Sequence, residues 1–503
     1  MAEILAGPAD DSPVIGAPGR DWLTYAGLRR LSSEVRRQLR SLGVGPQDRV
    51  AIVLPNGPEM AAAFLTIAQS AIAAPLNPGL RHADYAFYLA DLRAKAVVMG
   101  RDYDGPALAA AQDCGVAILR LESPDGLAAG QFRLSGTAAE PGLAGPAGPD
   151  DTAMILHTSG TTARPKIVPL LHRNIAASAL HIRDALALGA SDRCLNVMPL
   201  FHIHGLIAGL AASCAAGASV WCAPGFDALR FFGWMQEARP TWYTAVPTMH
   251  QAILARARNN AQVIAAHPLR FVRSSSAALP TPVLQALETT FAAPVIEAYG
   301  MTEAAHQMTC TPMPPGPRRA GSVGLAAGPL VRIAEEAQDR LTDGPGEVVI
   351  SGPNVTPGYE ANPEANARSF FVAKAQRWFR TGDQGWLDRD GHLTLTGRLK
   401  EIINRGGEKI SPSEVDAALM DHPAVAQAVA FALPHPMLGQ KVAAAVVLHE
   451  GLEATEHEIR AFAATRLASF KVPCRVVILT EIPKGPTGKL QRLGLSDMLG
   501  LTT

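Results

Sequence analysis

The chain has 503 residues, 48% hydrophobic and 18% charged, so it carries apolar material for more than one core and is not a single small domain. Lys and Arg total 45 and Asp and Glu total 45, and this zero net charge gives no electrostatic argument for a nucleic acid or an anionic membrane as partner. The cysteines Cys114, Cys194, Cys214, Cys222, Cys310 and Cys474 fit neither a zinc site nor a disulfide framework, which predicts free thiols in a reducing, cytoplasmic compartment.

In chain order, "MAEILAGPADDSP" is acidic and proline-broken and lacks the basic region and apolar run of a signal peptide. "DRVAIVLP" reads as a buried strand and "GPEMAAAFLTIAQSAIAA" as one helix. "KAVVMG", "AILRL" and, later, "EVVISG" are further apolar strands, and their alternation with helices predicts largely parallel α/β sheets. "GTAAEPGLAGPAGPDD", Gly136 to Asp151, is a surface connection, and "PMPPGPRRAGS" is a second irregular segment. "GLIAGLAASCAAGASVWCA", Gly205 to Ala223, is uncharged and of membrane-span length. Its Gly/Ala content, and the neighbouring His202 and His204, predict a buried helix followed by a buried strand instead. From Lys400 onward the pattern reads strand, strand, helix, strand, a small α+β unit, so domains of residues 1–399 and 400–503 are expected.

"LHTSGTTARPKIVPL" begins at Leu156 and places a hydroxyl-rich turn directly after a strand. It is not the Walker form, but the physics is similar. Gly160 lets the backbone turn, Thr158, Ser159, Thr161 and Thr162 offer hydroxyls, successive N–H groups can form an anion nest, and Lys166 adds a point charge. By itself this stretch is equally an ordinary polar loop. Four segments then follow in order: "EAYGMTEA" from Glu297, "RTGDQGWLDRDG" from Arg380, "GRLKEIINRGGEKISPSEVD" from Gly397 and "PKGPTGKLQR" from Pro483. Together the five resemble the adenylate-forming superfamily: acyl-CoA synthetases, firefly luciferase and peptide-synthetase adenylation domains.

That resemblance implies an α/β fold. A large N-terminal domain of two stacked α/β subdomains plus a distorted β-barrel would carry a small, mobile α+β C-terminal domain. It implies ATP, Mg²⁺ and CoA as cofactors, and joining of a carboxylate to the α-phosphorus of ATP. Both reactants are anionic, so charge must be neutralised and the groups held in line. The implied roles are phosphate binding by Thr158, Ser159, Gly160, Thr161, Thr162 and Lys166, and adenine binding by Ser276, Ala277, Tyr299 and Gly300. Thr302 would touch the α-phosphate, Glu303 hold the metal, Asp383 the ribose, and Arg398 ribose and phosphate. Lys489 would bridge carboxylate and α-phosphate. Lys400 would be a hinge, Gly407 the wall of a pantetheine tunnel and His202 the gate between that tunnel and the acyl pocket. Ala163 and Ile167 stand where the family usually has glycines.

For the acid, Arg273, His204, His250 and His306 are candidate carboxylate contacts; His306 shares a face with Glu303 if that segment is helical. "MPLFHIHGL", "TWYTAVPTMHQ", "EAYGMTEAAHQM", "SGPNVTPGY" and "EIINRGGEKISP" are similar to the oxalate–CoA ligases of plants and fungi, which implies oxalate as the acid. Malonyl-CoA synthetases resemble the chain less, because they carry an arginine where Ala298 stands here. Alternatives are a medium-chain or aryl acyl-CoA synthetase, an adenylation enzyme loading a carrier protein, and a non-catalytic ATP-binding regulator. No nucleic acid or membrane partner is expected, and a monomer or homodimer is.

Overall fold

The computed structural model describes residues 1–137, 139–142, 145, 147–158, 165–319, 321–484 and 490–501. Two large α/β sheets organise the N-terminal part. The seven-stranded sheet runs Arg133–Ser135, Ala117–Glu122, Ala96–Gly100, Arg49–Val53, Ile72–Pro75, Thr152–Thr158 and Lys166–Leu171. Arg49–Val53 pairs in parallel with Ile72–Pro75 and Ala96–Gly100, and its apolar run is buried on both faces, as the sequence pattern predicts. The helix expected to run on from Pro58 stops at Ile67, and the apolar stretch after it forms the strand Ile72–Pro75. Apolar composition alone did not separate the two. Helices cover the sheet faces; Tyr25–Ser41, for example, is capped by the Thr24 hydroxyl accepting from Gly27 N at 3.1 Å and buries Leu28, Leu31, Val35 and Leu39.

The nine-stranded sheet has the order Leu325–Ala326, His306–Cys310, Val295–Met301, Phe271–Ser275, Trp242–Ala245, Arg193–Asn196, Ser219–Cys222, Pro13–Ala17 and Arg20–Thr24. Four neighbours, Arg193–Asn196, Trp242–Ala245, Phe271–Ser275 and Val295–Met301, are parallel in register. Their carboxyl ends therefore open at one edge, where ligands of open α/β sheets bind. The segment from Gly205 folds as a π-helix, His204–Ala211, a short α-helix to Ala215 and the buried strand Ser219–Cys222. No helix among the described residues is long and apolar enough to cross a membrane.

A six-stranded antiparallel, barrel-like sheet built on Leu330–Ala334, Gly346–Ser351 and Gln376–Leu387 completes the large domain. The smaller C-terminal domain has its own sheet, with Val425–His435 antiparallel to Gly439–Leu448 and Arg475–Ile478 parallel to the latter, packed on the helices Pro412–Met420 and Glu456–Ala464. Polar contacts tie it to the large domain: Lys409 Nζ to Glu336 Oε2 at 2.5 Å and Gln251 Nε2 to Ala426 O at 3.0 Å.

Candidate active site

The site gathers where the parallel strands end. Thr158 and Lys166 face each other across an antiparallel pair, so the hydroxyl-rich segment joins two adjacent strand ends. Ser159, Gly160, Thr161 and Thr162 lie outside the described residues, as does Lys489. Lys166 Nζ stands 4.1 Å from the centre of the Tyr359 ring. Burial lowers its pKa, Glu303 opposes that, and Lys400 and Arg368 add to it, so these charges share one electrostatic neighbourhood.

Glu303 sits in a single 3₁₀ turn, Thr302–Ala304, directly after the strand that carries Tyr299. It is 6% exposed, and Tyr359 Oη donates to its Oε1 at 2.8 Å. Burial raises its pKa, while the Tyr359 hydrogen bond and the charges of Lys166 and Arg398 pull it back. A buried carboxylate among cations suits a hard cation shared with phosphate oxygens. Glu303 would hold Mg²⁺ there, and the ion would neutralise charge developing on the phosphates. Lys166 and Arg398 would meet the polyphosphate.

Tyr299 Oη donates to Asp383 Oδ2 at 2.5 Å, and Arg398 Nε faces Asp383 Oδ1 at 3.2 Å. Asp383 and Arg398 are paired across the barrel-like sheet, so the fold itself sets them together. Asp383 raises the Arg398 pKa, keeping the guanidinium charged. A carboxylate has about four lone-pair sites, so Asp383 can still accept from ribose hydroxyls. Gly300 cannot carry a side chain, because a Cβ would lie 1.8 Å from the His306 carbonyl oxygen. Gly407 has φ +98°, and its N–H donates to Asn404 Oδ1 at 3.0 Å. Lys400 follows the strand ending at Arg398, and Leu399 N donates to Gly382 O at 2.9 Å.

The acid-binding candidates divide. Arg273, His204 and His306 come together, all buried. Arg273 Nη1 donates to His204 Nε2 at 3.3 Å, so that nitrogen is an acceptor and His204 Nδ1 carries the proton toward Ser276 Oγ at 2.9 Å. The Thr244 hydroxyl meets the same Nε2 at 2.6 Å. The rings of His204 and His306 meet edge-on, 5.1 Å apart. His306 does not share a helical face with Glu303: Ala305 (φ +47°) and His306 (φ +100°) turn the chain into the strand His306–Cys310. His250 stands apart. It contacts Tyr243 Oη at 3.1 Å, on the sheet face opposite the one Trp242 and Thr244 present, and burial holds its pKa down to about 3. Ser276 has φ +75° and joins the imidazole cluster, while Ala277 is exposed. His202 Nδ1 accepts from His204 N at 3.3 Å, at the mouth of the π-helix.

Arg273 is fully buried, and no carboxylate pairs with it among the described residues. Its acceptors are neutral: His204, Thr244 Oγ1 at 3.5 Å and Gln307 Oε1 at 3.3 Å. Nε has no hydrogen-bond partner among the described residues. Burial lowers its pKa to about 10, which leaves it cationic at neutral pH. Sequence reasoning missed Tyr359, Thr244 and Gln307. All three lie in segments that carry the family resemblance, and Thr244 is the parallel-strand neighbour of Arg273.

Glu297, two residues before Tyr299, is pushed up to about 7 by burial, against a hydrogen bond from the Leu279 backbone. An ordinary glutamate titrates near 4.5 when unfolded, so between these values the native state holds a proton that the unfolded chain has lost. Unfolding free energy therefore falls as pH rises through that window and stays reduced above it. Glu297→Gln is expected to be neutral near pH 4 and stabilising by about 1–3 kcal/mol near pH 8.5. Urea midpoints at the two pH values check this; equal differences at both would clear Glu297 as the titrating group.

Lys166 and Arg398, the buried carboxylate of Glu303 and the buried cluster of Arg273, His204 and His306 come from three sheets and the segments beside them, an arrangement of the kind an acid-activating, nucleotide-binding enzyme requires. The family described as AMP-binding enzyme matches residues 5–360, and the AMP-binding enzyme C-terminal domain matches residues 414–489. The chain is 43% identical to the oxalate–CoA ligase of Arabidopsis thaliana, over 98% of this chain and 96% of that protein. It is 35% identical to the sulfoacetate–CoA ligase of Cupriavidus necator, over 98% and 96%. ATP-bound MatB from Rhodopseudomonas palustris superposes with a TM-score of 0.87 at 27% identity, covering 99% of this chain and 98% of that one. The chain belongs to the AMP-binding enzyme family and is an AMP-forming acid–CoA ligase.

Proposed function

We propose that this ligase, which uses ATP, Mg²⁺ and CoA, acts on a small dianionic acid, and that the acid is oxalate. The reaction is oxalate + ATP + CoA giving oxalyl-CoA, AMP and diphosphate. The observation that carries the reading is Arg273, a fully buried cation whose acceptors among the described residues are all neutral. A buried charge without a partner is costly, and a second substrate carboxylate supplies the missing counter-charge. Both named relatives point the same way, since oxalate and sulfoacetate are small dianions.

In this reading one carboxylate attacks the α-phosphorus while Lys489 supplies mobile positive charge, and the other rests against His204, His306 and Ser276, with Arg273 behind them. His250 then supports the acyl-pocket wall from the far face of the sheet. The small domain turns at Lys400 between residues 1–399 and 400–503, bringing Gly407 toward the thiol of CoA; the family matches on either side of Lys400 support that boundary. Six free thiols support a cytoplasmic setting.

The test is diphosphate release from MgATP over a panel of acids, with and without CoA. Oxalate should stand out, with oxalyl-CoA formed only when CoA is present. A preference for hexanoate or benzoate would overturn the substrate. Release without any CoA thioester would favour a carrier-loading role, and ATP binding with no release a regulator.

A further inference from the structure

Gln307 is completely buried in the strand His306–Cys310, one residue beyond His306. Both ends of its amide are engaged. Oε1 accepts from Arg273 Nη2 at 3.3 Å, and Nε2 donates to Ala327 O at 3.3 Å. The second contact fixes the first: with the amide nitrogen on a carbonyl, only the oxygen can face the guanidinium. Gln307 thus aims one edge of Arg273 while contributing no charge. His204 and Thr244 aim the other edge in the same neutral way.

We propose that Gln307 is a specificity-determining positioning residue, whose neutrality keeps the positive charge of Arg273 available to an anionic substrate. A buried arginine is ordinarily met by Asp or Glu, and such a pair would cancel its field. An amide gives the geometry of a carboxylate with none of its charge. The site therefore carries uncompensated positive charge until a substrate carboxylate arrives, and discriminates against acids that bring only an alkyl or aryl group. This inference rests on the small-dianion reading of the same site.

Gln307→Glu changes one atom and tests the idea. The new carboxylate would pair with Arg273; its second oxygen would face Ala327 O with no proton to donate, and the attraction of the contacting ion pair is expected to exceed both that repulsion and the neutral hydrogen bond lost. Two effects are expected together. kcat/KM for oxalate falls on the order of 100-fold, mostly through KM. The thermal midpoint, measured without substrate, rises. A residue that merely packs would lower both stability and activity. Gln307→Asn, with the amide kept but drawn back by one methylene, is expected to raise KM for oxalate while leaving kcat within several-fold.

Wild-type preference for oxalate, with Gln307→Glu or Gln307→Asn binding it as tightly as the wild type, would overturn the role of Gln307. A wild type that prefers monocarboxylic acids would overturn the substrate reading instead. The thermal midpoint then decides Gln307 alone: a rise still supports a neutral amide on an unpaired arginine, and no rise overturns it. If Gln307→Glu fails to fold, Gln307→Asn decides through KM.

Discussion

Glu303→Gln is expected to cut diphosphate release by about 10²–10³-fold at saturating acid and to raise the Mg²⁺ concentration needed for half-maximal rate. The side chain keeps its shape, and its amide can still meet Tyr359, which donates to Glu303 Oε1 at 2.8 Å. Only the charge is lost. Among the described residues neither Lys166 nor Arg398 forms an ion pair with it, and burial pushes its pKa up, so holding it charged has a cost that a divalent cation would offset. Tyr359→Phe gives a finer test. The tyrosine hydrogen bond lowers the Glu303 pKa, so its removal lets burial raise that pKa further. The acidic limb of the kcat/KM profile should move to higher pH, with little change at alkaline pH, where the carboxyl is ionised in both proteins. Wild-type rates and Mg²⁺ dependence in Glu303→Gln would remove Glu303 from the metal site; superimposed acid limbs would remove Tyr359 from its support.

Much of this was legible in the sequence because chemistry restricts residue type. A strand buried on both faces has to be apolar, so Arg49–Val53, Ala96–Gly100 and Gly346–Ser351 announced themselves. Tyr299, Glu303, Asp383 and Arg398 could be named because their segments, taken in order, resemble those of one family; each residue alone reads as an ordinary surface or helix-end group, and the fold sets Tyr299, Asp383 and Arg398 in contact. The end of the helix at Ile67 was not legible, because alanine-rich apolar sequence serves a buried helix and a buried strand alike. Nor was the approach of His306. It depends on two successive positive φ values at Ala305 and His306, a conformation that neither residue type advertises. The division between His204 and His250 arises from alternation along one strand: Thr244 meets the first and Tyr243 the second. Two histidines with the same local appeal thus end on opposite faces of a sheet. Gln307 lies in a segment that carries the resemblance, but its role was not legible, since its partner Arg273 lies on a strand that the hairpin, not the sequence neighbourhood, brings near.

Arg273→Met carries the largest consequence for substrate choice. Adenylation uses one carboxylate of a diacid; the other stays ionised and, for a molecule as small as oxalate, must be buried close beside the first. Without a cation that burial is prohibitive, whereas a monocarboxylic acid places carbon there at no electrostatic cost. Arg273 is fully buried, carries no carboxylate partner among the described residues and stays charged at neutral pH, with burial bringing its pKa only to about 10. Methionine roughly keeps the volume and flexibility of the arginine stem, so the variant removes charge with limited damage to packing. Oxalate turnover should fall by at least about 10²-fold in kcat/KM, while turnover of a short monocarboxylic acid holds or rises. Stability should hold as well, because replacing a buried charge with an apolar side chain is often neutral or favourable. Adding His306→Ala should lower oxalate turnover further, but by less than the two single effects combined, since both act on one carboxylate. Near-normal oxalate turnover in the double variant would show that the second carboxylate lies elsewhere, and that the imidazole cluster behind Ser276 serves packing.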